Sequence, residues 1–299
     1  MASAELRAIR RRIRSVESTK KITRAMELIA ASRIVKARER VHASRPYADK
    51  MIEVIRNVAR ASGDASDPLL ERRDLTTMGV LVVTSDRGLA GAYNSSVLRR
   101  AERFMVEQRA RGVELRLFAV GKKAQTYFSF RGYEIAESFL AVTDQPTYAD
   151  ARRIATALMT EYRSGAVDAV DVFFTVYRSA LSYVPTRTEV LPVTPPTSEE
   201  DEDEGTAGPE VAVSYEFEPD PGVILGRLLP RYVESAIYGH LLESSASEHA
   251  SRQRAMKAAT DNAEELIKVL TRTANQARQA EITTEIAEIV GGAQALSAS

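Results

Sequence analysis

The chain has 299 residues, of which 44% are hydrophobic and 27% are charged, so it is long enough for one or two globular domains with a sizeable core. It carries 41 basic and 41 acidic residues, and this zero net charge favours no particular class of partner. The absence of cysteine excludes disulfides, thiolate nucleophiles and cysteine-based metal sites.

The N-terminal segment, residues 4–61, is predicted to form one long basic helix. Residues 1–60 carry 16 Lys and Arg against 6 Asp and Glu. The first helix breaker is Pro46, which is expected to bend the helix because proline lacks the backbone donor. The Arg-rich start resembles a transit peptide, but Glu5 and Glu17 interrupt it, so we interpret it as mature protein.

Apolar residues in this helix follow the spacing of a coiled-coil seam. The pattern predicts one run at 3-4-3 spacing and a second run after a shift of register. The two runs are Leu6, Ile9, Ile13 and Val16, then Ile22, Met26 and Ile29. The shift argues against a long regular zipper.

The middle of the chain, after a linker at residues 64–74, alternates between predicted strands and predicted helices. β-Branched apolar runs predict the strands, and Gly residues end several of the segments. The predicted strands are residues 79–84, 114–120, 169–177 and 187–191, and the predicted helices are residues 95–111, 122–131 and 147–164. This alternation predicts a partly parallel α/β sheet.

A second long helix is predicted at residues 222–290, after an acidic run at residues 198–209 that is either a solvated loop or a segment that folds on a partner. Its predicted seam is Leu266, Leu270, Thr273, Ala277 and Ala280, followed by a run of Ile282, Ile286 and Ile289. Each terminal helix would span roughly 85–105 Å at 1.5 Å per residue, against a middle body about 40 Å across. The two helices are therefore expected to project and to pair with each other.

Two features are candidates for chemical sites. A glycine-bearing segment at residues 85–94 follows the first strand, but its G-x-x-G spacing matches no phosphate-binding fingerprint, so a tight turn is predicted and a nucleotide site is the alternative. The three histidines, His42, His240 and His249, lack metal-ligand spacing. No catalytic, cofactor-binding or metal-binding residue is predicted. The basic arm could bind nucleic acid, although it lacks aromatic residues before Tyr47.

Three sequence blocks resemble the γ subunit family of bacterial F-type ATP synthases. They are KKITRAMELIAAS at residues 20–32, SDRGLAGAYN at residues 85–94, and a C-terminal block with AMKAATDN at residues 255–262 and ARQAEITTEIAEIVGGA at residues 277–293. Ala90 is a departure, because relatives often carry Cys there, but it touches no proposed mechanism.

The resemblance implies an α/β fold in which a long antiparallel coiled coil of the N- and C-terminal helices carries an inserted Rossmann-like α/β domain. The implied segments are an N-terminal helix (1–62), the α/β domain (75–195), an acidic linker (196–221) and a C-terminal helix (222–299). It implies a non-catalytic rotor, without a cofactor, that couples ion flow through the c-ring to the catalytic β subunits.

The implied partners are the α and β subunits of the head, the ε subunit and the c-ring, with one copy of this chain per complex and no nucleic acid. The implied location is peripheral, on the cytoplasmic face of the bacterial cell membrane. The residues that match family positions at the contact with the head are Lys20, Lys21, Arg24, Met26, Arg252, Arg278, Gln279, Thr283 and Glu285. Two alternatives come from the residues alone: a coiled-coil nucleic-acid-binding protein, and a nucleotide-binding enzyme at the glycine-bearing turn.

Overall fold

The computed structural model describes residues 4–61, 67–179, 182–194, 218 and 220–297. The predicted acidic run at residues 198–209 lies outside them. In chain order the elements are α1 (Ala4–Ala61), β1 (Thr77–Val83), α2 (Tyr93–Ala110), β2 (Glu114–Val120), α3 (Lys122–Phe130), β3 (Ile135–Phe139), α4 (Tyr148–Arg163), β4 (Ala169–Tyr177), β5 (Tyr183–Leu191) and α5 (Pro221–Ser297). The predicted α/β class with two long terminal helices is confirmed.

The chain divides into two compact units. The first, here called the paired-helix unit, comprises Met1–Ala31 and Arg252–Ser299. The second, here called the sheet unit, is Ser32–Ser251. The four segment limits predicted from the sequence stay a prediction.

The sheet unit is built on a five-stranded sheet in the order β3-β2-β1-β4-β5. The first four strands are parallel and β5 is antiparallel to β4, which confirms the predicted partly parallel sheet. α2 and α3 cover one face, whereas α4 and segments of both terminal helices cover the other. β3 was not predicted, because it has only five residues, IAESF, and two of them, Glu137 and Ser138, are polar.

Within the sheet unit, each terminal helix buries an apolar stripe. α1 is helical through Pro46, and it buries Ile34, Ala37 and Val41 before that residue and Met51, Ile55 and Val58 after it. α5 buries Leu225, Leu229, Val233, Ile237 and Leu241, at intervals of four residues, against the sheet core. These stripes seat both helices on the sheet.

In the paired-helix unit, α1 and α5 run antiparallel. Lys20 Nζ lies 3.3 Å from Glu264 Oε2, and the hydroxyls of Thr23 and Thr260 are 2.8 Å apart, so partner numbers fall as α1 numbers rise. Less exposed residues of α1 occur at unbroken 3-4 spacing, and the half-buried Met26 lies beside them. The residues at this spacing are Leu6, Ile9, Ile13, Val16, Lys20, Thr23, Glu27 and Ala30. The predicted register shift is therefore wrong.

The physical reason is that polar residues occupy part of the seam. Thr23 and Glu27 are buried there, whereas the predicted Ile22 and Ile29 are 58% and 55% exposed. A seam of small or polar residues is invisible to a search for apolar periodicity.

The same correction applies to α5. Its less exposed positions keep 4-3 spacing: Met256, Thr260, Ala263, Ile267, Leu270, Ala274, Ala277 and Glu281. Leu270 and Ala277 were predicted correctly, but Leu266, Thr273 and Ala280 are exposed. From residue 282 to residue 294, all described side chains are exposed, because at this register the start of α1 lies level with about residue 280 of α5.

One histidine of the sheet unit predicts a measurable pH dependence of stability. His240 stacks on Phe174 with ring centroids 4.0 Å apart, and burial lowers its pKa from 6.5 to about 4. Because the unfolded chain binds the proton more readily, stability is full above pH 6.5 and falls as the pH drops towards 4. The total loss in the free energy of unfolding is expected to be about 3 kcal/mol.

Urea unfolding of the wild type, His240→Phe and His42→Phe at several pH values checks this pH dependence. The slope of unfolding free energy against pH should flatten in His240→Phe and persist in His42→Phe, because His42 is exposed. Equal slopes in all three proteins would contradict the role of His240.

Candidate partner-binding surface

An exposed mixture of apolar and basic side chains lies on α1 of the paired-helix unit. Ile22, Leu28 and Ile29 are each more than half exposed, and exposed Lys21 and Arg24 lie among them. We call these five residues the basic–apolar face. Exposed apolar side chains that cluster in this way mark interaction sites.

The charges on this part of α1 are not equally available. The Lys20 ammonium pairs with Glu264, and Arg24 Nη1 lies 2.9 Å from both carboxylate oxygens of Glu27. Lys21 is exposed and has no anionic partner among the described residues. Lys21 is therefore the charge most free to meet a partner.

Two buried hydroxyls meet in the pairing beneath this face. Thr23 Oγ1 and Thr260 Oγ1 lie 2.8 Å apart across the seam, and each also lies within hydrogen-bond distance of a carbonyl of its own helix, that of Lys20 at 3.1 Å and that of Met256 at 2.8 Å. A buried polar contact at a seam position favours one register of the two helices. The register sets which side chains of the two helices form a common surface.

A second exposed region is the C-terminal end of α5. Ile282, Ile286, Ile289 and Val290, here called the apolar tip, are between 48% and 71% exposed. Arg278, Gln279, Thr283 and Glu285 are exposed on the same stretch of helix. The described part of α1 does not extend along this stretch, so its apolar side chains are available to another molecule.

The predicted contact residues fall into two clusters and one outlier. At the observed register, Arg24 lies level with about residue 260 of α5. Residues 278–285 are therefore roughly 27–38 Å further along the helix, at 1.5 Å per residue. Lys20, Lys21, Arg24 and Met26 form one cluster, and Arg278, Gln279, Thr283 and Glu285 form the other. Arg252 belongs to neither, because it is only 8% exposed.

The glycine-bearing turn, in the sheet unit, is filled by its own side chains. The Asp86 carboxylate accepts hydrogen bonds from the backbone amides of Lys122 and Ala141, both at 3.1 Å, and from the Thr143 hydroxyl at 3.0 Å. Lys122 is the first residue of α3, so Asp86 caps the N-terminus of that helix. The Asp86 carboxylate therefore joins the turn to two neighbouring loops, and its charge disfavours a phosphate at the turn, which supports the predicted tight turn.

Other site types find no support in the part of the chain that the structure describes. None of its helices has an apolar stretch sufficient to cross a bilayer. Among the same residues, no group of three His, Asp or Glu side chains could hold a metal ion.

Comparisons with known proteins agree with the geometry. Residues 5–296 match the family model described as ATP synthase. The chain is 51% identical, over 99% of both chains, to the ATP synthase gamma chain of Parafrankia sp. (strain EAN1pec). It is 26% identical to a chain of the Tetrahymena thermophila mitochondrial ATP synthase central stalk and c-ring structure, with a TM-score of 0.60 over 80% of this chain and 99% of that one.

A chain of the Euglena gracilis mitochondrial ATP synthase shares the fold at 18% identity, with a TM-score of 0.65 over 98% of this chain and 95% of that one. These matches give no support to the nucleic-acid-binding alternative. With a full-length family match and a relative half identical along its whole length, the chain belongs to the γ-chain family of the ATP synthases.

Proposed function

We propose that this chain is the non-catalytic rotor of an F-type ATP synthase, present in one copy per complex. Its partners are the α and β subunits of the head, the ε subunit and the c-ring of the membrane sector. It acts at the cytoplasmic face of the bacterial membrane without spanning it. The observation that carries the proposal is the paired-helix unit, whose exposed side chains differ from face to face.

The coupling follows from this asymmetry. One side of the pair presents the basic–apolar face of α1, and the end of α5 presents the apolar tip. A pair that turns inside a ring of three β subunits offers each of them a different surface in succession. A ligand shifts a conformational equilibrium only through its differential affinity for the two states. Rotation therefore biases each β subunit in turn, and the β subunits perform the chemistry.

A rotor also needs a firm attachment between α5 and the sheet, and the sheet unit provides one. Residues 244–251 of α5 are all buried, although most are polar. Ser244 Oγ accepts from the Thr175 amide at 3.3 Å, Ser247 Oγ donates to the Thr175 carbonyl at 3.1 Å, and Ser251 Oγ donates to the Ala90 carbonyl at 2.6 Å. These bonds tie one helix to β4 and to the turn after β1. Small polar side chains allow α5 to lie close to the sheet, and their hydrogen bonds are directional. Both properties suit the transmission of torque between the helix and the sheet.

Charge reversal on α1 tests the proposed contact with the head. The triple variant Lys20→Glu, Lys21→Glu and Arg24→Glu is expected to lower ATP-driven proton pumping of the reconstituted complex severalfold, most strongly at low salt, because single surface charges contribute about 1 kcal/mol or less and three are removed. Addition of Glu264→Lys restores the Lys20 pair and separates lost pairing within the unit from lost contact with the head.

The matched control reverses Lys36, Arg38 and Arg40, three exposed basic residues of the same helix in the sheet unit. This control is expected to pump at close to the wild-type rate. Equal pumping by the wild type and the Lys20, Lys21 and Arg24 variant at every salt concentration would remove these residues from the proposed contact.

Calorimetry tests the non-catalytic assignment. The isolated chain is expected to bind no ATP in the micromolar range, because the Asp86 carboxylate of the glycine-bearing turn binds the amides of Lys122 and Ala141 and places a negative charge where a phosphate would approach. Asp86→Asn is the useful companion variant, since it removes the charge and keeps the acceptor. Stoichiometric ATP binding by the wild-type chain that is lost on substitution near Gly88 would contradict the assignment.

A further inference from the structure

The sheet unit carries an arginine-lined groove that the rotor proposal does not use. The groove lies between α2 and β5. It is lined by Arg99, Arg100 and Arg103 of α2 and by Arg187 of β5, with Phe104 and Phe173 beneath them. We call the four arginines the arginine groove.

Arg187 is held in a fixed orientation. Its Nε donates to Asp171 Oδ2 at 2.8 Å, and its guanidinium lies 4.1 Å from the centre of the Phe104 ring. Asp171 is fully buried, whereas the Arg187 side chain is 44% exposed. A buried ion pair seldom stabilises a fold more than apolar residues of the same size would. The pair does orient a planar guanidinium towards the groove, and such an arginine is suited to carboxylate recognition.

The groove has an excess of positive charge. Arg100 Nη1 donates to the Pro185 carbonyl at 2.8 Å, which leaves its charge without an acid. Arg99 and Arg103 have no acidic partner in the described part of the chain. Glu107 is the acidic residue among those that line the groove, so an anionic ligand would improve the electrostatic energy of the site.

The free edge of the sheet runs beside these arginines. β5 is an edge strand that pairs with β4, and Thr175 lies opposite Pro185. The amide and carbonyl of Thr175 bond to Ser244 and Ser247 of α5, so they point away from β5. When a residue of an antiparallel pair points its backbone groups away from the partner strand, the residue directly opposite does the same. Pro185 therefore points its carbonyl towards the free edge of β5. Arg187, two positions further along β5, has the same orientation. The backbone N–H and C=O of Arg187 therefore face outwards beside the groove.

We propose that β5 and the arginine groove bind an extended acidic segment of a partner protein. The segment would add as a further strand at the outer edge of β5, and its alternate carboxylates would reach the arginines, because side chains alternate between the faces of a sheet. The edge offers both donors and acceptors. A polypeptide matches both, whereas a phosphate can only accept, and this favours a peptide over a polyphosphate.

The experiment measures binding of a fluorescent peptide to the full chain. The probe is a synthetic peptide of alternating Thr and Glu, and the control peptide has Gln in place of Glu. The Glu peptide is expected to bind, with an affinity that falls as the salt concentration rises. The Gln peptide is not expected to bind. Arg99→Gln with Arg103→Gln should weaken binding by at least about tenfold, since the charged hydrogen bonds of both arginines to the peptide are lost.

The matched control is Arg10→Gln with Arg14→Gln, an exposed pair at the same spacing on α1, and its affinity should stay within about twofold of the wild type. N-methylation of alternate peptide amides should abolish binding if the peptide pairs with β5. Equal binding of the methylated peptide, or displacement by tripolyphosphate at equal concentration, would overturn the proposal.

The chain's own acidic run is the remaining competitor. A variant with residues 199–204 changed to Gln and Asn should bind the probe with the same affinity as the wild type. Binding that appears only in this variant would assign the groove to the chain's own segment and refute the partner.

Discussion

Replacing Ile282, Ile286 and Ile289 with glutamine is expected to abolish assembly of this chain with the catalytic head while leaving its own folding unchanged. The three side chains are 48%, 56% and 71% exposed in the isolated chain, so their loss removes little internal packing. Burial of the exposed part of three isoleucines in a partner would contribute about 3–5 kcal/mol. Loss of that contribution weakens binding by a factor of about 10²–10⁴. Glutamine keeps helix propensity, so α5 should remain helical.

The measurement is co-purification of the variant with α and β subunits, followed by ATP synthesis in vesicles. The matched control changes Val106 and Phe130 to glutamine, since these are exposed apolar residues of the sheet unit, at 56% and 89%. The control should assemble and synthesise ATP normally. Wild-type synthesis by the Ile282, Ile286 and Ile289 variant would show that the apolar tip is not a contact with the head.

The elements most visible in the sequence are those with strong local signals. β2 and β4 were predicted with their observed limits, because each is rich in apolar and β-branched or aromatic residues, and β4 is buried over most of its length. α1 was predicted with its observed limits as well, since Pro46 lies inside a helix whose buried stripe continues on both sides of it. β3 was missed because it is only five residues long and Glu137 and Ser138 interrupt its apolar residues.

The main error of the sequence prediction concerned the seam between α1 and α5, and it arose because polar side chains occupy part of that seam. At Thr23 and Glu27 α1 buries polar side chains, and the polar contact across the seam joins Thr23 to Thr260, 237 residues apart. Local periodicity cannot report such a contact. For the same reason the sequence does not show how far apart along the helices the proposed contact residues lie, whereas the observed register separates them into two clusters. The low exposure of Arg252 also depends on packing that the sequence does not display.

The glycine-bearing turn was predicted in part: its conformation could be inferred from the sequence, but the contacts of Asp86 could not. Its glycines predicted a tight turn, and Leu89 and Gly91 do adopt positive φ values. The part played by Asp86 required the structure, because its partners Lys122, Ala141 and Thr143 come from two other loops. Those loops meet at the carboxyl ends of the parallel strands, where one further residue, Gly121, has no freedom to change.

Gly121→Ala is expected to destabilise the chain more than a glycine-to-alanine change at the other glycines that the structure describes in the sheet unit. Gly121 precedes α3 with φ 87° and ψ 144°, a conformation that is almost restricted to glycine. A Cβ at this position would lie 2.4 Å from the Thr84 carbonyl oxygen and 2.9 Å from the Thr84 carbonyl carbon. Both are backbone atoms of the segment that follows β1, and Thr84 is itself bonded to Val120 through its amide and its hydroxyl. The clash therefore cannot be relieved by a side-chain rotation.

The expected cost is about 3–5 kcal/mol, the sum of backbone strain and displacement of a packed segment. Gly132→Ala is the matched control, since Gly132 also has a positive φ, 76°, but a Cβ added there would meet no atom within 4 Å beyond its chain neighbours. It should cost only the conformational strain, about 1 kcal/mol. Urea unfolding of both variants separates the two contributions, because only Gly121→Ala carries the clash. Equal losses in the two variants would mean that the turn after β1 moves aside at little cost, and that it does not hold α3 in place as tightly as the contacts of Thr84 and Asp86 imply.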